Sequence, residues 1–232
     1  EKYPHRLRFC DDAPVLLYYR GDVNFDHSKI ISVVGTRMAT EYGKHICKKI
    51  IEDLSAEIDI VVVSGLAHGV DTQAHAVAIE NNIPTIGIVA HGLDTIYPKI
   101  NASLASRMLD NGVVMTEFKS KTIPDRENFP KRNRIIAGLS DAVLVVEAAK
   151  KGGALITADI ANSYGREVFA VPGRVGDTYS EGCNNLIFSN KAILSQSAED
   201  ILLAMNWKPK KKKSKQIKLF ADLDEMELKI VN

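Results

Sequence analysis

The feature that most constrains this chain is a recurring pair of patterns. Short runs that are apolar at nearly every position alternate with stretches of helical period. The apolar runs are 30–34, 60–63, 85–89, 113–116, 142–146 and 167–171, and they are rich in Val and Ile. A strand with one wet face alternates apolar and polar residues. A run that is apolar throughout is buried on both faces, which is the habit of parallel sheets. The intervening stretches supply the covering helices. Between 43 and 58 the apolar residues fall at 46, 47, 50, 51, 54 and 58, forming one stripe. Stretch 71–82 opens with Asp71 as its expected N-cap. Stretch 154–164 is followed by Gly165, suited to a C-cap. A further amphipathic helix is expected at 199–207. Strand–helix repetition of this kind predicts an α/β fold, a doubly wound and mostly parallel sheet with right-handed crossovers, flanked by helices.

Composition agrees and narrows the class. The chain has 232 residues, 45% hydrophobic and 25% charged, enough apolar material for a large core. No apolar run reaches the roughly 20 residues a membrane helix needs. Three scattered cysteines, Cys10, Cys47 and Cys183, form no CxxC pair, which fits a reducing cytoplasm rather than a disulfide scaffold or zinc site. Residues 1–27 read as an extended arm leading into a domain at 28–207. Residues 208–218 (KPKKKKSKQIK) hold seven lysines and no acid, and read as a basic linker. Residues 219–232 read as the start of a truncated helical unit. The chain lacks an initial Met and reads as a piece of a longer protein.

The formal net charge of +1 conceals this segregation. The body up to residue 207 is slightly acidic, yet 119–134 contains six bases (Lys119, Lys121, Arg126, Lys131, Arg132, Arg134) against Asp125 and Glu127. Bases at the start of a packed helix sit on a rigid support, where phosphate contacts are favoured. Three glycine-bearing loops also follow strands: Gly35-Thr36-Arg37, the stretch 64–71, and the stretch 150–157. Glycine lets a backbone approach an anion, and a helix N-terminus offers free N–H groups to it. No G-x-G-x-x-G follows the first strand and no Walker loop occurs, so dinucleotide binding and ATP hydrolysis lack their usual support.

Eight blocks carry a resemblance: VVGTR (33–37), YG (42–43), SGLAHGVDTQAH (64–75), HGLDTIYPKIN (91–101), FPKRNRIIAGLSDAVLVVEA (129–148), GGALITADIA (152–161), GREVFAVPG (165–173) and EGCNNLI (181–187). In this order, over about 3–205, the chain resembles the DNA-processing protein A (DprA/Smf) family. The resemblance implies an extended Rossmann-like domain that binds single-stranded DNA, usually as a homodimer. It also implies loading of the RecA recombinase on incoming strands during natural transformation. An N-terminal helical domain and a C-terminal winged-helix-like domain often accompany it. The second would begin near Leu219. Gly152-Gly153-Ala154 departs from the many relatives that carry a Ser beside the glycines. Backbone N–H groups would do the binding there.

The matched residues suit that role. Arg37, Lys131, Arg132, Arg134 and Lys151 can supply cations, and Ser64, Gly65, Gly152 and Gly153 uncharged donors. Phe129 is either a stacking platform for a base or a core anchor before Pro130. Asn133 is either a base or phosphate contact or a helix cap. No groove-reading helix is apparent, so single strands are favoured over duplex. No catalytic residue, metal or cofactor is expected. His68, Asp71 and His75 share a helical face, and His91 neighbours Asp94, but these read as structural polar residues. Glu117 and Glu147 sit at strand ends without a nucleophile beside them. The alternative is an enzyme that cleaves nucleotide N-glycosidic bonds. Its PGG-x-GT-x-x-E pattern is replaced here by GGALITAD, with Asp159 near the position of the Glu.

Overall fold

The computed structural model describes residues 3–210. Its elements run β1 (Tyr18–Gly21), β2 (Ile30–Val34), α1 (Glu41–Glu57), β3 (Val61–Ser64), α2 (Val70–Glu80), β4 (Thr85–Ile88), α3 (Ala102–Met108) and β5 (Gly112–Thr116). They continue as α4 (Asn128–Leu139), β6 (Ala142–Val145), α5 (Gly153–Ser163), β7 (Glu167–Ala170), α6 (Glu181–Phe188), β8 (Ile193–Leu194) and α7 (Ala198–Ala204). One eight-stranded sheet has the order β1-β5-β4-β3-β2-β6-β7-β8. Every pairing is parallel except β1 with β5. The α/β, doubly wound, mostly parallel architecture expected from the pattern is the one observed.

Both faces of the sheet are covered, which is why strands β2 to β6 are buried at every position. Helices α4, α5 and α6 pack on one face with Val61, Val63, Val143 and Val145. Helices α1, α2 and α7 pack on the other with Ile31, Val33, Val62 and Leu144. The chain first lays strands outward from β2 to β5, then returns to add β6, β7 and β8 on the opposite side of β2. The order therefore reverses between β2 and β6. A crevice must open beyond their carboxyl ends, because the following connections diverge to opposite faces.

Local chemistry sets the helix limits. Thr40 caps α1, accepting from the Gly43 N–H at 3.2 Å. Ser197 and Asp200 form a capping box on α7. Gly165, at φ +66°, follows the C-cap Tyr164 of α5 and turns the chain out of the helix. The expected cap Asp71 is corrected. Gly69 occupies the N-cap of α2, and Asp71 lies buried in its first turn.

The N-terminal segment also differs from expectation. It is no extended lead-in: His5–Phe9 forms a 3-10 turn, and Leu7, Cys10 and Phe25 are buried in the core. Strand β1 ends at Gly21, whose φ of +94° and contact with the Gly112 carbonyl leave no room for a Cβ. Arg6 pairs with Asp141 at 2.7 Å and ties the segment to the start of β6. At the other end, the linker reading is testable only for 208–210. There the Lys210 backbone N–H donates to the Glu57 carbonyl at 2.6 Å, and its Nζ lies 2.9 Å from Asp59. The rest of the linker and the unit at 219–232 lie outside the described residues. No helix among the described residues is long and apolar enough to cross a membrane.

Candidate functional site

The switch-point crevice encloses about 320 Å³. Its walls are the loop after β2 (Gly35, Thr36, Arg37), the start of α4 (Phe129, Arg132, Asn133) and the loop after β6 with the first turn of α5 (Lys151, Gly152, Gly153). A narrower recess continues from it past Gly65, His68 and Tyr97, sharing Arg37, Phe129 and Arg132. Seven of the eleven residues singled out in the sequence thus line one cavity, and Gly65 lines its extension.

Each wall is held by the fold. The Thr36 N–H donates to the Glu147 carbonyl at 2.7 Å, fixing the loop after β2 to the end of β6. The Val70 N–H donates to the Thr36 carbonyl at 3.2 Å, joining that loop to the start of α2. Asn133 donates to the Gly153 carbonyl at 3.3 Å and ties α4 to α5. It is therefore no cap of α4; one amide N–H is used across the crevice, whose wall it forms. The N-terminus of α5 has no side-chain cap. Gly152 and Gly153 at that start line the crevice, and both are exposed. An uncapped helix start leaves orphan donors and the positive end of the macrodipole for an anion.

Arg132 is the decisive side chain. It is 4% exposed, yet it makes no hydrogen bond or ion pair among the described residues, and its Nε is buried without a partner. Burial pulls its pKa down to about 10, against the stabilising charge of Asp71, so it stays protonated at neutral pH. Its guanidinium lies across Gly65, where any Cβ would collide with Nη1. Arg37 stands above, exposed, with its guanidinium carbon 5.0 Å from the centroid of Phe129. Phe129 belongs to no core cluster. It is half-buried and tilts against Tyr97 at 6.3 Å. The core-anchor alternative for Phe129 therefore falls, and its ring forms a wall of the cavity.

The family model for DNA recombination-mediator protein A matches residues 1–206. The chain belongs to this family. The DNA processing protein DprA of Streptococcus pneumoniae is 42% identical over 200 residues, 86% of this chain and 70% of that protein. Its X-ray structure superposes with a TM-score of 0.81 at 40% identity, covering 88% of this chain and 71% of that one. The DNA processing protein A structure from Helicobacter pylori, described for its single-stranded DNA binding mode, superposes at 0.80 with 29% identity. It covers 89% of this chain and 94% of that one.

Not every site residue expected from the family resemblance reaches the crevice of this DNA recombination-mediator protein A family member. Ser64 is fully buried and its hydroxyl donates to the Val33 carbonyl at 2.6 Å, so it is no ligand donor. Arg134 points away, pairing with Glu117 and lying 3.9 Å from Asp12 of the N-terminal segment. Lys131 is exposed on α4 but does not line the cavity. Tyr97 and Pro98 also line the recess, and the sequence marks them only as part of the block 91–101. A turn between β4 and α3 carries them, and no local pattern shows that it folds back over the β3 loop. Asn101 anchors that fold-back, donating to the Leu66 carbonyl at 2.9 Å.

The groups that tempt a catalytic reading are committed elsewhere. Glu147 accepts from the Thr40 N–H at 2.9 Å and from its hydroxyl at 2.6 Å, bracing the start of α1. His91 accepts the Tyr97 N–H at 3.1 Å. Asp94 accepts the Lys121 N–H at 2.7 Å, which holds its carboxyl below the usual range. His75 is buried beside Thr85 at 2.7 Å, and desolvation with the Arg132 charge pushes its pKa down to about 3. His68 lies before α2 and is exposed, so it does not share the buried face of Asp71 and His75. Among the described residues no group of His, Cys, Asp and Glu could hold a metal.

Proposed function

We propose that the switch-point crevice binds single-stranded DNA and that the protein works on such strands without chemical catalysis. The observation that carries this is Arg132, a buried, charged guanidinium on the cavity floor that makes no hydrogen bond or ion pair among the described residues. Asp71 offers charge nearby but no hydrogen bond, so the buried fork keeps its donors unfilled, and a phosphate supplies the missing partner in its own geometry. Arg37, Lys151 and the open start of α5 surround the same space with further positive potential. Phe129 offers a ring at the height of that phosphate, where a neighbouring unpaired base can stack. The recess favours a single strand, whose bases can turn in separately, over a stiff duplex. The relative from Helicobacter pylori, described by its single-stranded DNA binding mode, supports the same ligand.

The family resemblance extends the proposal. The protein protects incoming single strands during natural transformation and loads RecA on them, acting as a cytoplasmic homodimer. A binding role rather than N-glycosidic cleavage is supported by the strand-end carboxylates, since Glu147 is spent on Thr40 and Glu117 on Arg134.

A mobility shift with oligo-dT and with the matching duplex tests the ligand. The parent is expected to shift the single strand preferentially, with log K falling against log salt by roughly 0.7 per phosphate neutralised. Arg132→Ala and Arg37→Ala are each expected to weaken binding about tenfold or more. Undiminished binding by Arg132→Ala would remove the crevice from the proposal. A nucleotide-hydrolysis assay on the same sample should release no free base, and release would favour the enzyme instead. RecA assembly on strands with and without the protein tests the loading step.

A further inference from the structure

Asp71 is the one carboxylate that lines the crevice among the described residues. It sits in the first turn of α2, 6% exposed, beneath the loop after β3. Its Oδ2 accepts the Ala67 N–H at 3.3 Å; burial raises its carboxyl, while the Arg132 charge and the Ala67 and Gly65 backbone favour the ionised form. On the open side of Gly65 the carboxylate and the Arg132 guanidinium converge, Asp71 Oδ2 lying 2.7 Å from where a Cβ would stand. The two charges flank that glycine without forming an ion pair.

This separation has a physical meaning. A direct bidentate pair would occupy the N–H fork and leave nothing for a ligand. No anion at all would leave a buried cation with every reason to swing out to solvent. His75, one turn further along α2, is neutral and so does not repel the guanidinium. Arg37 is the other cation facing Arg132, and it opposes the charged form. Asp71 alone supplies attraction.

We propose that Asp71 is a positioning residue for strand binding: from beneath Gly65 it holds the Arg132 guanidinium at the crevice floor by charge, leaving the N–H fork free for phosphate. This rests on the single-stranded DNA reading of the crevice. The carboxylate also shapes the 64–67 loop, so loop and guanidinium are set by one group.

Asp71→Asn keeps the shape and an acceptor oxygen for Ala67 while removing the charge. Its Kd for oligo-dT is expected to rise about tenfold, with the salt slope of log K falling by about 0.7, as for Arg132→Gln. In an Arg132→Gln background, Asp71→Asn should change Kd by less than about twofold, since the residue it acts through is gone. An unchanged salt slope, or an equal loss in both backgrounds, overturns the proposal. Urea midpoints of the four proteins give a readout without DNA. The double variant should shift less than the two single variants combined, and strictly additive shifts overturn the charge coupling. A parent that fails to bind oligo-dT while the midpoints couple refutes the DNA reading and leaves the pairing intact. Should Asp71→Asn not fold, Gly65→Ala evicts the guanidinium by sterics and must lower the salt slope equally. A parent-like slope in that variant overturns the proposal.

Discussion

Arg132 and Arg134 are two residues apart on α4, and a helix turning about 100° per residue aims them in nearly opposite directions. One reaches the crevice, and the other reaches Glu117 and Asp12. Their spacing in sequence places both in one basic island, and only the helix phase separates them. The same limit applies to Ser64, whose hydroxyl is legible as a donor but not as one turned into the sheet. Arg134→Ala should therefore lower stability and spare strand affinity. Breaking a mostly buried ion pair of this kind costs about 1–3 kcal/mol, read from urea unfolding. A variant that instead loses oligo-dT binding with parental stability would return Arg134 to the site.

At the scale of elements, the strands buried on both faces were legible because such burial writes itself as continuous apolar runs. Strand β1 was not, because it is an exposed antiparallel edge with a single half-buried residue, and β8 has only two residues. Helices α3 and α6 span only 7 and 8 residues, about two turns each, which leaves little period to read; α7 is as short, and its expected range 199–207 overruns it. The glycine loops after β2, β3 and β6 were legible as ligand-facing, since strand order alone puts them at one edge. Helix α5 gives this an experimental handle. Gly152 is extended and a Cβ there meets nothing within 4 Å, so a side chain is sterically free. Gly152→Asp places a carboxylate at the N-cap, where capping and the macrodipole together stabilise a helix by about 0.5–1 kcal/mol. The same carboxylate occupies the anion position. Thermal stability should rise while oligo-dT affinity falls. A rise in both would exclude the start of α5 from ligand contact.

For the whole molecule, the buried histidine links folding to pH. His75 titrates near pH 6.5 when unfolded and near 3 when folded, owing to burial first and to Arg132 second. The unfolded chain therefore binds more protons across that window. Stability is fully present above pH 6.5 and is lost as pH falls toward 3, by up to about 1.4 kcal/mol per pH unit. Asp71, whose carboxyl is raised by burial, contributes with the opposite sign above its ordinary range. His75→Gln isolates the histidine, and its stability should depend less steeply on pH than the parent's between 6.5 and 4. Parallel curves in urea titrations would show that the histidine is solvated or paired in the fold.

The sheet order also fixes when the molecule becomes competent. Ile31–Val34 of β2 pair with Ala142–Val145 of β6, partners more than a hundred residues apart. The strands between them fill the other side of β2 and can associate first, through shorter loops. A polypeptide emerging from the ribosome thus completes β2 to β5 while one bank of the crevice is still unsynthesised. If the crevice is the proposed strand site, ligand capture waits on the second half of the fold, and a nascent chain is not sequestered on nucleic acid through it before then.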